Sequence, residues 1–309
     1  MNYEAYYSEL DRAMYDKLWW LDKVEDGVDT ILDFGCSNGA MYQSIHAVMP
    51  ERFRCIGLDS DEQKLADAIH TPGSTFVKSI KEARSLMDPD RTVLVLSSVI
   101  HELYCYLGTD EAEKLLTELS SLGCRHVVIR DMEFRSLLPA SDTIRRELAA
   151  CLEKKVPERF GMWSSLRGDF SMKGLFEFML SYIHTANLER ELEESYFGMR
   201  TERILSIFSG YDVLWEHHFL IPYLIRLWER ELFTDDMELF SLLRKGVTTH
   251  TKLLMDKKRK YLKSAPGGRV LSMLSAFRNN GRSIRKRSPA PACAGGRPFR
   301  LPALPGCLR

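Results

Sequence analysis

Two glycines, three carboxylates and one histidine stand where they could do chemistry together. Gly35 and Gly39 flank Cys36-Ser37-Asn38, and Asp33 lies two positions before the first glycine. A residue without a Cβ accepts a positive φ and lets a ligand come close to the backbone. Asp59 follows Gly39 by 20 residues, the spacing at which a carboxylate at a strand end accepts both hydroxyls of a ribose. A nucleoside-bearing cofactor needs those parts: a small-residue loop, a carboxylate and a wall for the base. Farther along, His101-Glu102 ends an apolar run. An imidazole titrating near neutrality is the natural proton acceptor. The pair therefore reads either as a group that orients or deprotonates a substrate, or as hydrogen bonds that fix the loop.

The elements that must carry these residues follow from the hydrophobic pattern. TILDF at 30–34 is a short apolar run that stops in the small-residue turn and continues into helix-like AMYQSIHAVM. FRCIGL at 53–58 is a second strand ending at Asp59, and DEQKLADAIH is a helix with acids in its first turn, where the dipole favours them. Asp61 reads more readily as that helix start than as a helper of Asp59. Strands are also predicted at 75–80, at 92–98 and at 124–132. TVLVLSS at 92–98 is apolar throughout, as in a strand buried on both faces. A helix over GTDEAEKLLTELSSLG has a Thr/Asp start and a Gly stop. A leading helix is predicted over 4–22. After the fifth strand the rhythm breaks into helices over 141–205, read as an insertion or lid. A sixth strand at 211–220, helices at 222–232 and 236–245 and a closing strand at 247–256 complete the pattern. Repeated strand–helix–strand order implies a doubly wound, mostly parallel sheet of seven strands. Its ligands should bind where the loops after residues 34, 58, 80 and 96 converge, at the carboxyl ends of the strands.

With these residues in view, the chain resembles the class I, Rossmann-like S-adenosylmethionine-dependent methyltransferases over about residues 28–132, with a looser fit to roughly 256. The family's acid-then-Gly-x-Gly-x-Gly motif stands as DFGCSNG, with Ser37 in place of the middle glycine. Its acid-tipped second strand stands as CIGLD, and its fourth-strand segment as LVLSSVIHEL, where Ser98 takes the place of an Asn. The resemblance implies S-adenosylmethionine as cofactor. It places Gly35, Ser37 and Gly39 near the methionine part, Asp33 at the loop and amino group, Asp59 on the ribose, and Ile80, Ser97 and Ser98 beside the adenine and methyl ends. It implies that His101 and Glu102 line the methyl group and substrate entrance. A dinucleotide fingerprint would want GxGxxG, whereas this chain offers Gly35, Ser37, Gly39 and Ala40 at those offsets. The acid before the first glycine is a methyltransferase feature.

Composition narrows the class further. Of 309 residues, 45% are hydrophobic and 28% charged, ordinary for a globular protein. Net charge is zero, but Ser264–Arg309 holds nine Lys/Arg and no acid, leaving 34 basic against 43 acidic residues in 1–263. An acidic body is a poor default for binding nucleic acid. Cys36, Cys55, Cys105, Cys124, Cys151, Cys293 and Cys307 are scattered without a CxxC pair, which argues for reduced thiols, no metal site and a cytoplasmic setting. No secretory signal or membrane span is expected. Residues 264–309, rich in Pro, Gly, Ser and Arg, are expected to be a disordered basic tail beside a methyltransferase domain over 1–263. Adjacent His217-His218 on a strand point to opposite faces and do not form a metal pair. Tyr104, Tyr106, Arg130 and Asp131 either border the pocket or pack and pair structurally. Trp19-Trp20 reads as core or as a flap over the cofactor mouth. A small-molecule acceptor is the favoured partner. The alternatives are RNA or protein methylation, docked through KKRKYLK at 257–263 and the tail, or a non-catalytic module. Acceptor identity and oligomeric state cannot be read from the sequence.

Overall fold

The computed structural model describes residues 14–258. The expectations for the leading residues 4–13 and for the 264–309 tail lie outside them. Seven strands pair into one sheet: β1 (Thr30–Phe34), β2 (Arg54–Leu58), β3 (Ser74–Val77), β4 (Thr92–Ser97), β5 (His126–Ser136), β6 (Tyr211–Phe219) and β7 (Val247–Lys257). Their order is β3-β2-β1-β4-β5-β7-β6. The first five are parallel, and β7 runs antiparallel to both β5 and β6. Strand order reverses between β1 and β4, so the loops leaving these two strands diverge and open a crevice at their carboxyl ends.

Alternation along the strands builds a core on each face. Leu32, Leu94, Leu96, Val127 and Ile129 pack on one side; Ile31, Val93, Val95 and Val128 pack on the other. Successive strand residues point oppositely, and both sets are buried, which is why these segments read as unbroken apolar runs. Helix α1 (Met14–Lys17) precedes the sheet, α2 (Ala40–Val48) follows β1, α3 (Glu62–Ala66) follows β2, α4 (Ile80–Leu86) follows β3, and α5 (Ile100–Ser121) follows β4. After β5 come α6 (Asp142–Lys155), α7 (Pro157–Leu166), α8 (Met172–Ser181), α9 (Leu188–Glu193) and α10 (Thr201–Ile207); α11 (Pro222–Glu231) and α12 (Met237–Gly246) lie between β6 and β7. Among the described residues no helix is long and apolar enough to cross a membrane.

Several expectations need correction. The described part of the leading helix ends at Lys17, because the chain turns there to bury Trp20, Leu21 and Val24 against the sheet. Trp20 is therefore core and not a flap. The third strand stops at Val77, and Ile80 opens α4 behind a Ser79 cap. The helix placed from Gly108 begins at Ile100 and kinks at Gly108, where φ is 75°. Helices do follow β5 as expected, and they pack in two groups. Helices α6–α9 share a third core with α11 and α12, built around Trp163, Phe176, Phe178 and Trp228. Ile204 of α10 instead joins the core of the sheet.

The edges of the sheet are β3 and β6. Strand β6 exposes Val213, Leu214 and Trp215. Leu214 is an extra residue between the Val213–Met255 and Trp215–Leu254 pairs, and the Lys23 ammonium lies 5.8 Å from the Trp215 ring centre.

Candidate functional site

The loop after β1 is built on backbone conformations that few residues accept. Gly35, Ser37 and Gly39 all have positive φ, at 75°, 52° and 78°. The alternating glycines of the motif thus mark left-handed positions. Ser37 adopts the same geometry where the motif has glycine, at a cost on the order of 1 kcal/mol. The Gly35 and Cys36 N–H groups donate to the Leu58 carbonyl, tying the loop to the end of β2. A Cβ on Gly35 would meet Val99 Cγ2 at 2.5 Å. Gly35→Ala should therefore combine left-handed strain with overpacking and lower unfolding stability by about 2 kcal/mol, measured by urea titration; an unchanged midpoint would show that Val99 yields freely.

Asp59 sits where β2 ends. Its Oδ2 accepts the Ser37 N–H and its Oδ1 the Asp61 N–H, each at 2.9 Å. Each oxygen keeps a further lone pair for a ligand hydroxyl. Asp61 caps α3 through the N–H groups of Gln63 and Lys64, which settles it as a helix start. Around these groups lies a cavity of about 610 Å3. Asp33, Gly35, Ser37, Asp59, Ile80, Ser97, Ser98 and Glu102 all line it. Gly39 is outside this lining. It ends the loop and begins α2, and the Phe76 ring occupies the space its Cβ would take. The Ser37 and Ser97 hydroxyls are buried without a hydrogen-bond partner, so the wall has unfilled polar capacity. Burial lifts the Asp33 carboxyl to about 7, with Lys17 opposing and Asp59 adding to the rise.

His101 lines a second cavity, of about 130 Å3. Its Nδ1 is 2.7 Å from Asp131 Oδ1. Burial opposes charge on the ring, but the Asp131 carboxylate prevails and lifts the imidazole to about 9. So placed, His101 favours its imidazolium form near neutrality, the form that donates. Asp131, despite its own burial, is held below the usual carboxylate range by His101. Its Oδ2 also accepts the Val99 and Ile100 N–H groups, so a carboxylate from the neighbouring strand starts α5.

The two cavities share Lys17, Ser98 and Glu102. Ser98 takes a left-handed φ of 58° where the family motif has Asn, the other residue that tolerates it. Burial raises the Glu102 carboxyl above its ordinary value. Lys17 was missed by sequence reasoning, because nothing in its neighbours marks it. It is buried, and burial together with Arg130 lowers its ammonium to about 8. Tyr106 borders the first cavity and bonds Glu194, whereas Tyr104 packs over Gly198. His218 bonds Thr251 and Glu216, and His217 stacks on Phe219. Among the described residues no cluster of three His, Cys, Asp or Glu could hold a metal.

This strand order, with its antiparallel seventh strand, makes a doubly wound, Rossmann-like α/β sheet. No family model and no curated protein matches the chain. Solved structures do resemble it. A SAM-dependent methyltransferase from Archaeoglobus fulgidus is 16% identical, with TM-score 0.45 over 82% of this chain and 100% of the other. The MccD protein is 13% identical, with TM-score 0.43 over 80% and 98%. The phosphoethanolamine N-methyltransferase 2 of Haemonchus contortus is 13% identical, with TM-score 0.44 over 80% of this chain and 53% of its own. At such identities the chemistry has to be read from the cavities themselves.

Proposed function

We propose that the protein binds S-adenosylmethionine in the larger cavity and methylates a small molecule held in the smaller one. The observation that carries this reading is the shared wall of Lys17, Ser98 and Glu102 between a nucleoside-sized cavity and a polar second chamber. The residues fit the cofactor. Asp59 retains lone pairs that would take the ribose hydroxyls, Asp33 would hold the amino group, Lys17 would offer a cation for the carboxylate, and the orphaned Ser37 and Ser97 hydroxyls would gain partners. Bound there, the cofactor supplies an electrophilic methyl group on a sulfonium. The chain contributes position and dryness, which suffice for an in-line displacement. His101, already protonated, donates and orients. Glu102, at the junction with a raised pKa, is the group suited to take a proton from the acceptor.

Titration calorimetry with S-adenosylhomocysteine tests the cofactor assignment, and micromolar affinity is expected. Binding of NADH in its place would overturn the reading. Transfer of labelled methyl to metabolite fractions is then expected, with none to RNA. Tight product binding without transfer to any fraction would instead favour a non-catalytic module.

A further inference from the structure

The smaller cavity is built around an unused cationic donor. Arg130, on β5, is buried and lines it. Its Nε donates to Asp16 at 2.8 Å and its Nη1 to Ser98 Oγ at 2.6 Å. Nη2 is buried and has no partner. A desolvated guanidinium N–H without an acceptor is costly, and a buried one facing a cavity calls for an acceptor there, a ligand, ion or water. His101 lines the same chamber, with Nδ1 committed to Asp131. His250, also in the lining, is pushed well below the ordinary histidine range by burial and then by Arg130, His101 and Lys252, all cations.

The charges fix what kind of acceptor group fits. Arg130, His101 and Lys252 face Asp16 and Asp131 in direct ion pairs, three positive charges against two negative. Lys17 is assigned to the cofactor's carboxylate. On the opposite wall, Glu191 and Glu194 pair with Arg190 and accept from Tyr196 and Tyr106. One positive charge is left over at the Arg130 side, and one negative charge at the opposite wall, where two carboxylates share Arg190. A carboxylate matches it in charge and accepts from a guanidinium N–H in good geometry. A phosphate dianion would exceed that charge and meet Glu102, Glu191 and Glu194 in the same lining.

We propose that the acceptor is a small carboxylic acid whose carboxylate binds Arg130 Nη2 beside the His101 ring, leaving its nucleophile at the Ser98–Glu102 junction. This rests on the smaller cavity being the acceptor site. The probe is sodium acetate, titrated into protein loaded with S-adenosylhomocysteine at constant ionic strength, with acetamide and inorganic phosphate as comparisons. Saturable acetate binding is expected, with acetamide and phosphate each weaker by roughly tenfold or more. Arg130→Lys keeps a cation beside Asp16 and removes the forked second N–H. It should bind S-adenosylhomocysteine as the wild type does and acetate roughly tenfold more weakly. Arg130→Met should lose acetate binding altogether; if it fails to fold, the lysine variant alone decides. Acetate binding unchanged in Arg130→Lys overturns the proposal, as does phosphate or acetamide binding as tightly as acetate. No acetate binding to protein that does bind S-adenosylhomocysteine also overturns it while leaving the cofactor reading intact. Arg130-dependent acetate binding without S-adenosylhomocysteine binding would sink the cofactor reading and keep the anion subsite.

Discussion

Asp59→Ala should weaken S-adenosylhomocysteine binding by roughly 100- to 1000-fold. Two hydroxyls donating to one carboxylate are worth about 3–4 kcal/mol together, which converts to that range. The same carboxylate holds the Ser37 and Asp61 N–H groups, so its removal also loosens the loop at Ser37, while the Gly35 and Cys36 bonds to Leu58 remain. Asp61→Ala is the matched control. Asp61 caps α3 at the border of the same cavity, so its loss should cost about 1 kcal/mol of local stability and change affinity by less than about threefold. Calorimetry on both variants separates a ribose acceptor from a loop fastener. An affinity for Asp59→Ala within about fivefold of wild type would remove the ribose assignment.

The His101–Asp131 pair should give the protein a measurable pH dependence. His101 titrates at about 9 when folded, against an ordinary value of 6.5. A raised pKa means stability that is fully present below the unfolded value and lost as pH climbs through the folded one. The window therefore runs from about 6.5 to about 9, and the effect is about 3 kcal/mol. Asp131 has its pKa lowered by the same contact, so its contribution is lost only toward acid, and the two energies belong to one interaction. Lys17 runs the other way. Its ammonium is lowered to about 8 from 10.5, so stability rises as pH passes from about 8 upward. The difference between wild type and His101→Gln isolates the pair. Urea unfolding should show the variant less stable by about 3 kcal/mol near pH 6, with most of that gap closed by about pH 10. An equal gap at both pH values would mean that His101 is neutral and hydrogen-bonded only.

What the sequence disclosed was local. The β1 loop could be read because Asp33, Gly35, Ser37 and Gly39 fall within seven residues and the last three adopt left-handed backbone that selects small residues. Asp59 could be read because it ends an apolar run. Asp61 behaved as a cap because caps are settled within three residues. The start of α5 was missed because its cap, Asp131, comes from a strand 31 residues beyond Ile100. Lys17 was missed because its burial depends on the chain turning at residue 18 to cover Trp20. Gly39 carried its conformational signal faithfully, yet the missing side chain makes room for Phe76 and not for a ligand. The split of 141–205 between two cores was illegible, since amphipathic spacing tells which face is buried but not what buries it.

The extra residue in β6 has a consequence for how the protein behaves when concentrated. A regular edge strand presents evenly spaced amides and carbonyls, a template on which a second chain can crystallise strand by strand. Leu214 interrupts that spacing halfway along an otherwise apolar stretch. A neighbour docking there would fall out of step after a few residues. It would also have to dehydrate the Lys23 ammonium over Trp215. Resistance to fibrous or gel-like assembly is thus expected to rest on a residue count as well as on the exposed Asp212, Glu216 and His217. Deleting one leucine would restore the even ladder without changing any charge.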